Sequence, residues 1–475
     1  MNSTSKPSLP VVWRSQVADE EYERVRTHRI FNKSIPSRYP RAIVQATEEA
    51  HIIEAVRLAI QEKCRVSIRS GGHSWPAWSL RDDAVLIDLT GYDSIEFDEK
   101  EMVATVSAGA TGGQLHDFLA TKGLFFPVGH CPDVAMGGFM LNGGMGWNCK
   151  NWGWSAEQLV AIDVVTAQGE LVHCDQNHHS DLFWCARGSG PGFPAVASKF
   201  YVKVQPYRNF MMSSLFVYPL SQYRQVMDWL IKISPDYDSD TEVVAVSATP
   251  PPALGIEEHC LIPLFVTWKN TEAEARAALE RADQTRPEGF LVELPSQRTS
   301  MAKEFRDQAT ANPSHGKYCV DGAYIRDGED VAAAIEEIMT TLPHPLAYAL
   351  WVPMLPCSKI PLSDMAHSLQ SDHYLSVYSI WEDDSQETRG RTWLRDAMSR
   401  LEKHSIGMYI ADSDFQVRPS RYWSEANGKK LMELRRKLDP EGVICGFLDT
   451  GDRSGVHGLA NKHEGGGSTE RQGRL

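Results

Sequence analysis

Residues 69–75 read RSGGHSW, and residues 128–147 read VGHCPDVAMGGFMLNGGMGW. Each is a glycine-rich turn with one reactive side chain, His73 in the first and Cys131 at the mouth of the second. Glycine lets a backbone approach a ligand closely, or take a positive φ, without a Cβ clash. Two such turns, one with an imidazole and one with a thiol, suit a single molecule held at two points. The residues alone leave the alternative open: two ordinary tight turns with a surface histidine and a buried cysteine.

The elements around these turns follow from periodicity. AIVQA (42–46) is short and β-branched. The next stretch places apolar residues at 52, 53, 56, 59 and 60, a helical stripe, with Thr47 as the expected N-cap and Glu48–Glu49 in an acidic first turn. RVSIRS (65–70) is a strand that delivers the chain directly into Gly71-Gly72-His73. AVLIDLT (84–90) and MVATVSAGA (102–110) alternate as strands, and GGQLHDFLATKG (112–123) reads as a helix closed by glycine. This mixed region runs to KFYVKVQP (199–206), where Pro206 marks a boundary.

From 207 to about 405 the pattern changes. Long strand-like stretches (FMMSSLFVYPL, EVVAVSATP, CLIPLFVTW, LAYALWVPM, YLSVYSIWED) alternate with amphipathic ones (EAEARAALERAD, DVAAAIEEIMTTL, TRGRTWLRDAMSRLEKH). That order predicts an antiparallel sheet with helices on one face, its other face open to a ligand. YWSEANGKKLMELRRKLDPEGV reads as a last helix, stopped at Asp439-Pro440. The fold class is α+β.

Length and composition narrow the function. A chain of 475 residues exceeds one ordinary core and predicts two or three domains. A formal charge of −14 argues against a nucleic-acid partner. No run of about 18 apolar residues is present, so no membrane helix is expected. The start, MNSTSKPSLPVVWRSQ, lacks a secretory apolar core, which makes a cytoplasmic protein the expectation. The final GRL matches a peroxisomal tripeptide only at its last two positions, a weaker alternative. Nine scattered cysteines form no CxxC pair. The adjacent His-Cys pairs at 130–131, 173–174 and 259–260 would point to opposite faces of a strand, so no metal site is expected.

Four stretches in order, RSGGHS, GHCPDVAMGGFMLNGGMG, SDLFWCARGSGPGF (180–193) and RYWSEANGKKLMELRRKLDPEGVI (421–444), resemble the berberine-bridge-enzyme-like FAD-linked oxidases of the vanillyl-alcohol-oxidase superfamily. The resemblance implies a two-lobed PCMH-type FAD-binding domain at 36–207 after an N-terminal extension (1–35). An antiparallel-sheet substrate domain covered by helices follows at 208–405. A C-terminal segment (406–450) returns to the FAD domain, and a flexible tail (451–475) ends the chain. It implies bicovalent FAD, with His73 on the ring's 8α-methyl group and Cys131 on ring carbon 6. A thiolate and an imidazole are both competent nucleophiles toward such a ring.

The same resemblance places Arg69, Ser70, Gly71, Gly72 and Ser74 around the pyrophosphate, with backbone N–H groups forming an anion nest. It puts Gly137, Gly138, Asn142, Gly143, Gly144 and Gly146 along the second loop beside the cofactor. Gly190 and Val196 fall on the adenosine and ribityl side, where Pro191 and Pro194 depart from the usual glycines and each removes a donor. Asn427 matches a helix asparagine that approaches the flavin or its substrate face. Val134, three residues after the cysteine, stands at the position that gates oxygen. Trp147, Trp152, Trp154, Phe183 and Trp184 read as packing.

Before the last helix the family carries Y-x-N-Y-x-D, its second tyrosine serving as base. Here the stretch is Tyr409-Ile410-Ala411-Asp412-Ser413-Asp414. Asp412 holds the base position, and a carboxylate can accept a proton if burial raises its pKa. Tyr409 is the alternative base, and a solvated turn at Asp412 and Asp414 is the bland one. The reaction implied is hydride transfer from a small organic substrate (alcohol, sugar, amine or secondary-metabolite intermediate) to FAD, with dioxygen as second partner and hydrogen peroxide as product. An FAD-linked dehydrogenase, or a flavoprotein acting as a non-redox cyclase or binding protein, are the alternatives. Substrate class and oligomeric state are not legible.

Overall fold

Two β-branched runs, Ala42–Gln45 and Val66–Arg69, both pair in parallel with Val85–Asp88, and Val11–Trp13 adds an antiparallel edge. The computed structural model describes residues 9–415 and 417–446, so the tail expected from 451 lies outside the described residues. Helix Glu49–Gln61 buries Ile52, Ala55, Val56 and Ala59 against this first sheet. It begins later than expected. Thr47 does not cap it: its Oγ1 lies 3.4 Å from the His51 Nδ1, and Glu48 takes the cap position without a side-chain bond. Helix Asp19–Arg26 packs Tyr22 and Val25 on Ile43 and Leu86. The stretch from residue 9 onward is therefore part of the first lobe rather than an extension of it.

A second sheet is antiparallel, in the order Ile95–Asp98, Val103–Ser107, Ala195–Lys203, Leu159–Thr166, Leu171–Cys174. Helix Gly112–Ala120 leaves it through a capping box between Thr111 and Gln114. One apolar core joins both sheets.

Beyond Pro206 an eight-stranded antiparallel sheet runs in the order Val292–Thr299, Phe210–Pro219, Cys260–Lys269, Thr241–Ala248, Tyr348–Pro353, His373–Trp381, Lys317–Ile325, Ser405–Gly407. Strand side chains alternate between faces, and here the two faces do different work. Val243, Ala245, Phe265, Ala349, Trp351, Leu375 and Val377 pack under helices Tyr223–Ile233, Glu272–Thr285, Val331–Thr340 and Glu387–Leu401. Residues of the opposite parity face the first lobe. Among the described residues, no helix is long and apolar enough to cross a membrane.

The chain then returns. Helix Glu425–Leu438 starts at Ser424, whose Oγ accepts from the Asn427 N–H. Val66 N–H donates to Val443 O at 2.7 Å and Cys445 N–H to Val66 O at 2.8 Å, which fastens the C-terminal segment to the first sheet.

Candidate functional site

The strand Val66–Arg69 ends against a cavity of about 420 Å3 enclosed between both glycine turns and the open face of the large sheet. Gly72 has φ +81°, and a Cβ there would lie 2.0 Å from Arg29 O, so only glycine fits. The second turn is pinned by Gly112 N–H to Val134 O and Gly113 N–H to Pro132 O, both 2.8 Å. The turns meet at Gly137, where a Cβ would fall 2.1 Å from Ser70 Oγ.

His73 and Cys131 both line this cavity. The His73 ring stacks on Phe31 at 4.3 Å, and its Nε2 lies 2.9 Å from Asp133 Oδ2. Burial pushes the Asp133 carboxyl up, but the contact with His73 outweighs it and leaves the carboxyl below its ordinary range. An ionised carboxylate at Nε2 favours the tautomer with its proton there. Nδ1, which has no hydrogen-bond partner among the described residues, is then left with its lone pair. The Cys131 thiol is pushed up to about 12, first by burial and then by the charges of Asp133 and Asp412, against a contact from Gln308. The thiolate expected on chemical grounds is thus disfavoured until something at the site lowers its cost.

Asp412 is the second focus. Tyr374 OH donates to Asp412 Oδ2 at 2.5 Å and Tyr378 OH to Oδ1 at 3.2 Å. Tyr374 and Tyr378 share one face of one strand, so period-2 geometry aims two hydroxyls at a single carboxylate. Burial raises the Asp412 pKa, and the hydroxyls of Tyr374 and Tyr378 pull against that rise without cancelling it. What surface Asp412 retains opens on the cavity. This is a carboxylate poised upward and kept ionisable, as a general base requires.

The loop carrying Asp412 is clamped from both sides. Trp75 Nε1 donates to Ala411 O at 3.0 Å, and Tyr409 OH accepts from the N–H groups of Gly144 and Met145 at 3.1 and 3.0 Å. Tyr409 lines the cavity with its ring, but its oxygen is committed to the second turn and burial raises its pKa. It anchors the loop to the second turn. Asp414 points elsewhere: it is buried, its N–H is held by Val320 O, and its Oδ2 faces Arg391 Nη1 at 3.3 Å. Burial, partly offset by Arg391, pushes it up to about 6. Neither aspartate sits in a solvated turn.

Other expected residues divide. Ser70, Gly71, Gly72, Ser74, Val134, Gly137, Gly138, Asn142 and Gly190 line the cavity. Arg69 touches it, but its guanidinium is buried on Asp88 Oδ2 (2.6 Å) and on the carbonyls of Val25 and Arg26, a structural role. Gly144 and Gly146 make room for protein, since a Cβ on each would press on Ser155 and Pro127 O, and Gly143 supplies a φ of +102°. Val196 is fully buried in the core. Asn427 lies outside the cavity, where its Nδ2 donates to Met365 O at 2.8 Å. The sequence reading missed Tyr374 and Tyr378, together with Glu242, Gln308, Asn312 and Tyr348 on the far wall. The alternation in HYLSVYSIW was the available signal for the first two.

The walls fit a phosphate-bearing planar cofactor. Among the described residues, the N–H groups of Ser70, Gly71, Gly72 and Ser74 donate to no loop or turn carbonyl. Unpaired donors at a cavity wall await an acceptor. Ser67 Oγ, buried in the same wall, also has no partner among the described residues. A Cβ at Gly138 would meet nothing within 4 Å, which leaves that backbone open to a ligand.

Comparison with known proteins agrees. The profile of the FAD binding domain family matches residues 40–175. The FAD-linked oxidoreductase penO of Penicillium crustosum is 35% identical over 450 residues, covering 94% of this chain and 98% of its own. Among solved structures, BBE-like 1 of Physcomitrella patens superposes with a TM-score of 0.79 at 17% identity, over 92% of this chain and 96% of its own. The 6-hydroxy-D-nicotine oxidase of Arthrobacter nicotinovorans gives 0.78 at 16% identity, over 93% and 98%.

Proposed function

The chain belongs to the FAD-linked oxidoreductases and has the berberine-bridge-enzyme-like fold, and from that premise we propose that it is an oxidase carrying FAD attached through both His73 and Cys131. The observation that carries this reading is the position of Asp412. Its carboxylate, braced by Tyr374 and Tyr378, opens on the same cavity as His73 and Cys131, close enough for its charge to raise the Cys131 thiol.

The flavin, when bound, supplies a two-electron acceptor able to pass its electrons to dioxygen. The protein supplies the rest. The N–H groups of Ser70, Gly71, Gly72 and Ser74, which donate to no loop or turn carbonyl among the described residues, would hold the diphosphate, and Asp133 holds the His73 imidazole with Nδ1 bare. Asp412 removes the proton from the substrate's reacting hydroxyl or amine. Tyr374 and Tyr378, whose own pKa values are raised by burial, stay protonated and donate to the carboxylate throughout. Val134 lines the cavity beside Cys131 and is the side chain we assign to the wall that dioxygen must pass.

Anaerobic mixing of the purified yellow protein with alcohol, amine and sugar panels should bleach its visible absorbance for one class, and admitting air should restore it with one hydrogen peroxide per turnover. Bleaching that air does not reverse would make the protein a dehydrogenase. A chain that no substrate bleaches would be a binding protein or a non-redox catalyst.

A further inference from the structure

The cavity's far wall is the open face of the large sheet, and its residues can be placed on a grid from the strand registers. Val244 pairs with Leu264, Val246 with Leu350, Leu350 with Ser376, Val352 with Tyr374, and Tyr348 with Tyr378. Val244, Val246, Leu264, Val266, Leu350 and Val352 therefore form one contiguous aliphatic floor facing the cavity. Its hydroxyl-bearing margin is the strand of Tyr374 and Tyr378 with Asp412. At the other margin stands Glu242, whose Oε1 already accepts from Asn148 N–H.

From this grid we infer that the substrate is a neutral, predominantly apolar alcohol, its hydroxyl at Asp412 and its hydrocarbon body lying across the aliphatic floor. The inference rests on the reading of this cavity as the substrate site. An anionic substrate finds no free arginine or lysine: among the described lining residues the only one is Arg69, which is consumed by Asp88, while two carboxylates face inward. A sugar would press hydroxyls on aliphatic side chains, and each would lose water without gaining a hydrogen bond. An ammonium would find an opposite charge only at the margins, at Asp412 and Glu242, and on the aliphatic floor itself burial disfavours charge. A hydrocarbon body loses nothing by it and gains with every methylene removed from water.

The test is anaerobic titration calorimetry of the holoenzyme with primary alcohols from butanol to decanol, beside octanoate, octylamine and glucose. Affinity should rise roughly fourfold per methylene, with a negative heat-capacity change, and the three polar probes should bind at least about tenfold more weakly than octanol. Val246→Asn should weaken decanol roughly tenfold or more while shifting butanol little. Leu350→Ala, which only removes side-chain volume, should weaken decanol in the same sense if the asparagine variant fails to fold. Affinity independent of chain length, or a polar probe that binds as well as octanol, overturns the inference. The two readings fail separately: length-dependent binding with no bleaching removes the oxidase and keeps the apolar site, whereas peroxide from a sugar with flat alcohol binding does the opposite.

Discussion

Replacing Tyr374 by phenylalanine removes one oxygen and tests whether the strand tyrosines tune Asp412. The Tyr374 hydroxyl donates to Oδ2 at 2.5 Å and stabilises the ionised carboxylate against a burial that favours the neutral acid. A hydrogen bond to a charged group contributes about 1.5–3 kcal/mol, and one pKa unit corresponds to about 1.36 kcal/mol. The full loss would raise the Asp412 pKa by about one to two units. Because Asp412 opens on the cavity, water replaces part of the bond and the expected rise is about one unit. The sign follows directly: a donor to the charged form lowers the pKa, so removing it moves the base's protonation to higher pH. The assay is the pH dependence of anaerobic flavin reduction by stopped flow. Its acid limb should shift alkaline by about one unit, with the limiting rate above the limb nearly unchanged. An unmoved limb, or a large fall in limiting rate without a shift, would refute the tuning role and make Tyr374 a participant in proton transfer.

Asp412→Asn should slow flavin reduction by roughly 10²–10⁴-fold and abolish the acid limb, while Asp414→Asn changes the rate little and lowers thermal stability at most. Tyr409→Phe should act as a loss of loop anchoring, raising KM and kcat effects together, and a base-like loss there with an innocuous Asp412→Asn would reverse the assignment. Asp133→Asn, in a Cys131→Ala background, should slow acid-stable flavin incorporation into apoprotein, read by mass, because a neutral amide no longer fixes the His73 proton on Nε2; unchanged incorporation would free His73 from Asp133. Val134→Leu should slow reoxidation by air and spare reduction, since one added methylene fills a close-packed gap, and equal reoxidation rates in both proteins would remove Val134 from the oxygen path.

Where local chemistry and fold agreed, the sequence was legible. Both glycine turns and the antiparallel sheet with helices on one face were readable because turn residues and periodicity report on backbone geometry directly. Strand Lys317–Ile325 escaped because Asp321-Gly322 reads as a turn, although Asp321 is in fact buried against Arg418. Strand Val292–Thr299 escaped because Pro295 breaks the pattern, which an edge strand tolerates. His73, Cys131 and Asp412, which line one cavity, were singled out through their neighbours in the chain. Tyr374 and Tyr378 reach Asp412 only through sheet register, across 38 and 34 residues of sequence, and no local motif encodes that. Arg69, Asn427 and the glycines at 144 and 146 show the converse: they sit in matching motifs, yet their side chains or missing side chains serve packing.

The account turns on one molecule being held by both glycine turns, and peptide mass spectrometry of the denatured, protease-digested protein tests this directly. The prediction is a single species whose mass is the His73 peptide plus the Cys131 peptide plus one FAD, lost as a linked species in His73→Ala and in Cys131→Ala alike. Unmodified His73 and Cys131 peptides, with all the flavin released into acid supernatant, would contradict it.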